Sequence, residues 1–188
     1  LDRKKDTKDW FLHVHLWDPH IPYRTPMEYG KPFENVPLDD KWMTEDILKY
    51  HREQKPGAHS ACEVNGYAPD YNPKTPRQPA EIKNLDDYKS MVDEYDTGIW
   101  YADKRLGEIF DKLKEQGIYE DAVIIVSSDH GESLGENGSY CEHGEADEPV
   151  THIPLIIKWP GCPRNAVSKG FHYNVDLLVT LMDMIGDI

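Results

Sequence analysis

The hydrophobic positions of this chain fall into a few blocks separated by long polar stretches. Residues 84–117 form the strongest block. Tyr88, Met91, Val92, Tyr95, Ile99, Ala102, Leu106, Ile109, Phe110 and Leu113 recur there at three- and four-residue steps, the spacing of one buried helical face. Asn84 is placed to cap this helix, Asp86 and Asp87 suit the positive end of its dipole, and Gly117 stops it. Residues 122–127 are instead a continuous apolar run, as expected of a strand covered on both faces of a parallel sheet. Residues 153–158 read as another strand, 11–16 as a short β-prone run ended by Trp17-Asp18-Pro19-His20, and 174–185 as a closing amphipathic helix. Residues 38–55 carry weak helical periodicity through Trp42, Ile47 and Leu48. Between 55 and 81, Pro56, Pro69, Pro73, Pro76 and Pro79, with Gly57 and Gly66, forbid regular helix or central strand, so a long surface excursion is expected. Strand, long helix, strand, strand, helix is an α/β order, in which sites form beyond the carboxyl ends of the strands.

Charge narrows the function classes. Lys plus Arg total 21 against 35 for Asp plus Glu, a net charge of −14, which argues against a nucleic-acid or anionic-membrane surface. Aromatic residues at 11% are more than a disordered tract carries. No apolar run approaches the roughly 20 residues that span a bilayer. The 188 residues suit one compact domain or a piece of a larger one. The start, LDRKKDTKDW, has neither Met nor an apolar signal core, so a processed chain or a part of a longer one is expected. Cys62, Cys141 and Cys162 form no CxxC pair and no disulfide framework, and they leave the compartment open.

Three polar clusters carry the candidate chemistry. Ser127-Ser128-Asp129-His130-Gly131-Glu132 follows the apolar run directly, and Asp129 with His130 offers a divalent cation one hard oxygen and one imidazole nitrogen. The bland reading is a strand-to-loop turn in which Asp129 caps the next element. In Trp17-Asp18-Pro19-His20-Ile21-Pro22-Tyr23 two prolines flank His20, and a rigidly held imidazole suits acid–base work near neutral pH, or simply packs in a loop. The third cluster, Gly135-Glu136-Asn137-Gly138 and then Cys141-Glu142-His143-Gly144, folds close to something or is a mobile surface loop. His13 and His15 are given no catalytic role, His152 a structural one, and His51, His59 and His172 are expected at the solvent surface.

Together these parts are more specific than each alone. WDPHIPY, then YDTGIWYADKRLGEIFDKLKEQGIYEDAVIIVSSDHGE, then LGENGSYCEHGEADEPVTHIPLIIKWPG resemble the sulfatase family of the alkaline-phosphatase-like superfamily, across roughly residues 9–186. The resemblance implies an alkaline-phosphatase-like three-layer α/β/α sandwich with a mostly parallel central sheet, here incomplete. It implies a metal site in which Asp129 and His130 are the late ligand pair, His20 contacts the sulfate and protonates the leaving oxygen, and His143 neutralises a sulfate oxygen. The metal implied is calcium, with manganese or zinc admitted by the imidazole ligand.

One element of the pattern is missing. The family's nucleophile is a formylglycine made from the Cys or Ser of a C/S-x-P-x-R motif, and no such motif occurs. Cys162-Pro163-Arg164 is one residue too short, and Cys62 is followed by Glu-Val-Asn. The early acidic metal ligands are also unmatched. Residues 1–188 are therefore expected to be the carboxyl-side part of a catalytic domain, inactive alone, acting within the whole protein on a small anionic sulfate ester. A sulfated sugar and an aryl sulfate both fit, with Arg24 as the best candidate anion contact. SDHGESLGENG also resembles phosphoethanolamine transferases, and phosphonate monoester hydrolases share the Asp-His pair. A non-catalytic binding remnant is the reading from another class.

Overall fold

The computed structural model describes residues 10–39, 41–55, 57–65 and 77–186. Four helices and four short strands follow in the order α1 (Glu45–Gln54), α2 (Leu85–Glu115), β1 (Ile124–Ser127), β2 (Ser133–Leu134), β3 (Tyr140–Glu142), α3 (Glu148–Thr151), β4 (Leu155–Lys158) and α4 (Asn174–Ile185). Side-chain caps open α1 and α2, the second at the Asn84 that the sequence marks. The Thr44 hydroxyl accepts from Ile47 N–H at 3.2 Å at the head of α1. The Asn84 carbonyl oxygen accepts from Asp87 N–H at 2.9 Å, and the Asp87 carboxylate in turn accepts from Lys83 N–H at 2.9 Å. The helix α2 ends at Gly117, whose φ of +71° is open to glycine at little cost.

One buried cluster holds these pieces together, and most of it comes from loops. Ile21 and Tyr23 of the first polar cluster meet Leu48 of α1, Tyr88 and Met91 of α2, and Tyr140 and Cys141 of β3. Met43, Ala61, Val64 and Ile82 complete it. The proline-rich stretch is thus not only a surface excursion: its two described arms enter the core. Val64 N–H donates to Ala80 O at 3.1 Å, Ile82 N–H to Ala61 O at 2.8 Å, and Arg52 of α1 donates to Ile82 O at 2.7 Å. Arg77 lies deepest. Its guanidinium donates to Glu94 of α2 at 2.7 Å and to the carbonyls of Thr25 and Pro26 at 2.5 and 2.9 Å. Both partners are almost fully buried, at 1% and 4% side-chain exposure, so each charge depends on the other. Pro69, Pro73 and Pro76, the middle of the excursion, lie outside the described residues.

The α/β class holds, but the strand details differ from expectation. The strand β1 pairs with β4 antiparallel, Ile124 opposite Lys158 and Ser127 opposite Leu155. The returning connection, which carries the β2–β3 hairpin and α3, reverses the direction that a parallel sheet would require. Residues 11–16, expected as a strand, join no ladder among the described residues, and a strand needs a partner to take its backbone hydrogen bonds. The apolar run of β1 is half-covered rather than buried on both faces, and Ile156 of β4 is 62% exposed. The helix α4 spans the expected residues and leaves Leu178 67% exposed.

Candidate active site

The site forms where the two halves of this architecture meet. Trp17-Asp18-Pro19-His20 runs against α2 at Gly98, where a Cβ would lie 2.8 Å from Pro19 Cβ and 2.9 Å from its Cα. Only glycine permits that approach, and the approach sets where His20 stands. Asp129 and His130 leave the end of β1, and Gly131 passes so close to α3 that a Cβ would fall 2.0 Å from Pro149 O. Gly131 N–H donates to Val150 O at 2.7 Å, which fastens the loop. Asn174, the first residue of α4, donates to Ser128 O and Asp129 O at 3.3 Å each. His143 follows β3 directly.

These elements bring three imidazoles together. His20, His130 and His143 each place one ring nitrogen within 4.8 Å of the others. His130 and His143 are stacked, with ring centroids 4.2 Å apart and planes 13° from parallel, and His20 lies 4.7 Å from His143. His130 Nδ1 is 2.8 Å from Gly131 O, and His20 Nδ1 contacts Ile21 O. A carbonyl only accepts, so Nδ1 carries the proton in both rings and Nε2 keeps its lone pair for a ligand. Burial, then the neighbouring His130 and His20 rings, hold the His143 pKa below its ordinary value, which keeps that ring neutral at physiological pH.

The donor set fits a divalent cation. Asp129 Oδ2 stands 3.9 Å from His130 Nε2, within the span that two ligand atoms at about 2.0–2.6 Å from one ion can cover. The Asp129 side chain is 68% exposed. What burial it has raises its pKa, but backbone N–H groups and the His130 and His15 imidazoles outweigh this, so the carboxyl stays ionised. The cleft of about 170 Å³ beside these groups is lined by His15, Trp17, Asp18, His20, Asp129, His130 and Glu132 among others.

A buried network unforeseen in the sequence lies beneath. Tyr23 O–H donates to Glu132 Oε1 at 2.9 Å and lies 3.1 Å from Cys141 Sγ. Burial pushes Glu132 up to about 7 and both Tyr23 and Cys141 well above their ordinary values, so tyrosine and thiol hold their protons. The only sequence signal was indirect: Tyr23, Glu132 and Cys141 each sit within three residues of a candidate site residue. Two histidines expected at the surface are not there. His51 is buried against the Tyr140 hydroxyl, 2.9 Å from its Nδ1, and His59 is half-buried 3.3 Å from Glu142. Their partners lie far away in the chain, out of reach of local patterning. His172 is exposed, as expected, and His152 faces Glu148 at 3.7 Å. Arg24 stacks over Trp17 at 5.8 Å rather than lining the cleft.

Comparison with known proteins gives the family and the fold. A sulfatase family profile matches residues 1–187. The chain is 33% identical over 206 residues to the choline-sulfatase of Rhizobium meliloti, covering 99% of this chain and 34% of that protein. It is 29% identical over 190 residues to the multifunctional alkaline phosphatase superfamily protein PehA of Trinickia caryophylli, covering 97% and 35%. The solved structure of the phosphonate monoester hydrolase SpPMH from Silicibacter pomeroyi superposes with a TM-score of 0.68 at 23% identity, over 96% of this chain and 34% of that one. That likeness shows an alkaline-phosphatase-like α/β fold, of which the chain spans about a third of the length of these relatives. No helix among the described residues is long and apolar enough to cross a membrane. Profile, relatives and fold together make this chain a member of the sulfatase family.

Proposed function

We propose that the chain supplies the carboxyl-side part of a site that hydrolyses a sulfate monoester, a sulfated sugar or an aryl sulfate. One observation carries the reading: His20, His130 and His143, more than a hundred positions apart at the extremes, bring their ring nitrogens within 4.8 Å of one another, and His20 and His130 line one cleft with Asp129. Asp129 and His130 would hold the divalent cation that sulfatases use, calcium, or manganese or zinc through the imidazole. Such a cation supplies positive charge to the equatorial oxygens of the ester. His20, with Nδ1 fixed by Ile21 O, presents Nε2 toward the cleft and, once protonated, gives its proton to the departing alkoxide. His143 contacts a second sulfate oxygen from its stacked position on His130. The nucleophile belongs to a part of the protein outside these 188 residues, and these residues alone are inactive. The likeness to the phosphonate monoester hydrolase SpPMH favours a second reading, in which the same groups act on a phosphonate monoester.

The test is hydrolysis of para-nitrophenyl sulfate and of its phosphonate monoester counterpart by the native protein, with whatever chain precedes Leu1. Asp129→Ala and His20→Ala are each expected to lower kcat/KM at least about 100-fold. Unchanged hydrolysis in both variants would sink the site assignment. No hydrolysis of either ester by the wild-type protein would favour a binding remnant.

A further inference from the structure

His143 sits on a short turn with little helix or sheet to hold it, yet its ring is ordered in the stack on His130. The structure shows what holds the turn. Glu142, the last residue of β3, folds its carboxylate back so that Oε1 accepts from His143 N–H at 2.8 Å and from Gly144 N–H at 2.7 Å. The second oxygen, Oε2, lies 3.3 Å from His59 Nε2. His59 comes from the arm of the proline-rich stretch, some 80 positions away, and is itself clamped to β3. Its backbone carbonyl accepts from Tyr140 N–H at 2.9 Å. Its φ of +54° lies in the left-handed region that few non-glycine residues occupy. The other ring nitrogen, His59 Nδ1, is buried with no hydrogen-bond partner. The Glu142 carboxylate, 3.3 Å from Nε2, is the charged group that this half-buried ring faces.

We infer that Glu142 and His59 form a positioning pair for His143: the carboxylate fixes the two amides of the turn, and His59 fixes the carboxylate. The pair touches neither metal nor ester. It acts by setting the angle at which the His143 ring meets His130 and His20. The inference rests on the reading of His143 as an oxyanion contact, but its geometry does not. It also gives the proline-rich stretch a place in the site: one of its arms carries the residue that orients Glu142.

The test is proton NMR of the 188-residue chain, about two pH units above the imidazole range so that protonation does not contribute. Stacked rings shift each other's protons upfield, so the His130 and His143 ring protons report the stack directly. Glu142→Ala is expected to abolish at least roughly half of that upfield shift, and Glu142→Gln, whose amide oxygen still accepts, to keep most of it. His59→Ala is expected to give a partial loss that His59→Gln restores, because a glutamine N–H reaches about as far as imidazole Nε2. Unchanged amide signals for Tyr88 and Met91 show that the core is intact. The inference is overturned if the stack survives Glu142→Ala in a folded chain, or if the conservative variants do no better than the alanines. Should Glu142→Ala unfold the chain, the His59 pair decides by the same criterion. A wild-type chain with no upfield-shifted histidine protons would remove the site geometry itself, a different failure from that of the positioning pair alone.

Discussion

Two regions of this molecule bury their side chains to very different degrees. Around the first half of α2 the chain closes on itself: Tyr88, Met91 and Ile82 are fully covered, Arg77 has its Glu94, and the arms of the proline-rich stretch are hydrogen-bonded to α1 and to each other. Around β1, β4 and α4 it does not. Those strands form a two-stranded antiparallel sheet, and α4 has no buried residue at all. The candidate site lies on the seam, with His20 on the closed side and Asp129 and His130 on the open one. The difference teaches that the site joins a side built on buried packing to a side with little of it, His143 stacking on His130 across the seam. The open region offers apolar surface of the kind that neighbouring layers of an α/β domain cover.

The largest break in that contrast should come from the buried ion pair. Glu94→Ala leaves Arg77 charged and uncompensated in the closed region, and urea unfolding should show a loss of about 3–5 kcal/mol. Glu132 comes next. Its folded pKa of about 7 lies above the ordinary glutamate value of 4.5, so the native state holds a proton that the unfolded chain releases between those values. Stability of the cation-free chain should therefore be greatest below about pH 4.5 as far as this group decides it, and fall as pH rises to about 7. The upper limit is about 3 kcal/mol for a shift of that size, and Glu132→Gln should flatten the profile. Gly98→Ala is smaller in stability, about 1–3 kcal/mol, because Pro19 must retreat from the new methyl group. Its mark is a displaced His20, visible as changed His20 ring resonances beside an unaltered β1. The smallest effect sharpens the comparison from the other side. Leu178→Gln on α4 should change the stability of the 188-residue chain by no more than about 0.5 kcal/mol, since nothing there covers the leucine. A loss of several kcal/mol would mean that the open region is closed in solution.

Local signals in the sequence were enough for α2 and α4, because Asn84, Gly117 and the apolar spacing all act within one helix. They were enough to gather His20, Asp129, His130 and His143, since three short motifs in a fixed order carried them. They failed where the partner is remote. Residues 11–16 have the composition of a strand, but a strand exists only beside another one. Tyr23 is separated from Glu132 by 109 positions and from Cys141 by 118, so no periodicity connects them. His51 and His59 looked solvent-exposed because their partners, Tyr140 and Glu142, are more than eighty residues later in the chain. The antiparallel pairing of β1 with β4 likewise depends on a return path that short windows do not contain.

The central claim is that a closed region and an open one share a single ester-hydrolysing site whose nucleophile lies elsewhere in the protein. The most direct measurement is the intact mass of the native protein, with peptide mapping of everything upstream of Leu1. The account predicts a species much larger than 21.7 kDa containing a C/S-x-P-x-R peptide with its Cys or Ser converted to the formylglycine aldehyde. A native product of 21.7 kDa that begins at Leu1, with no partner chain, would contradict it.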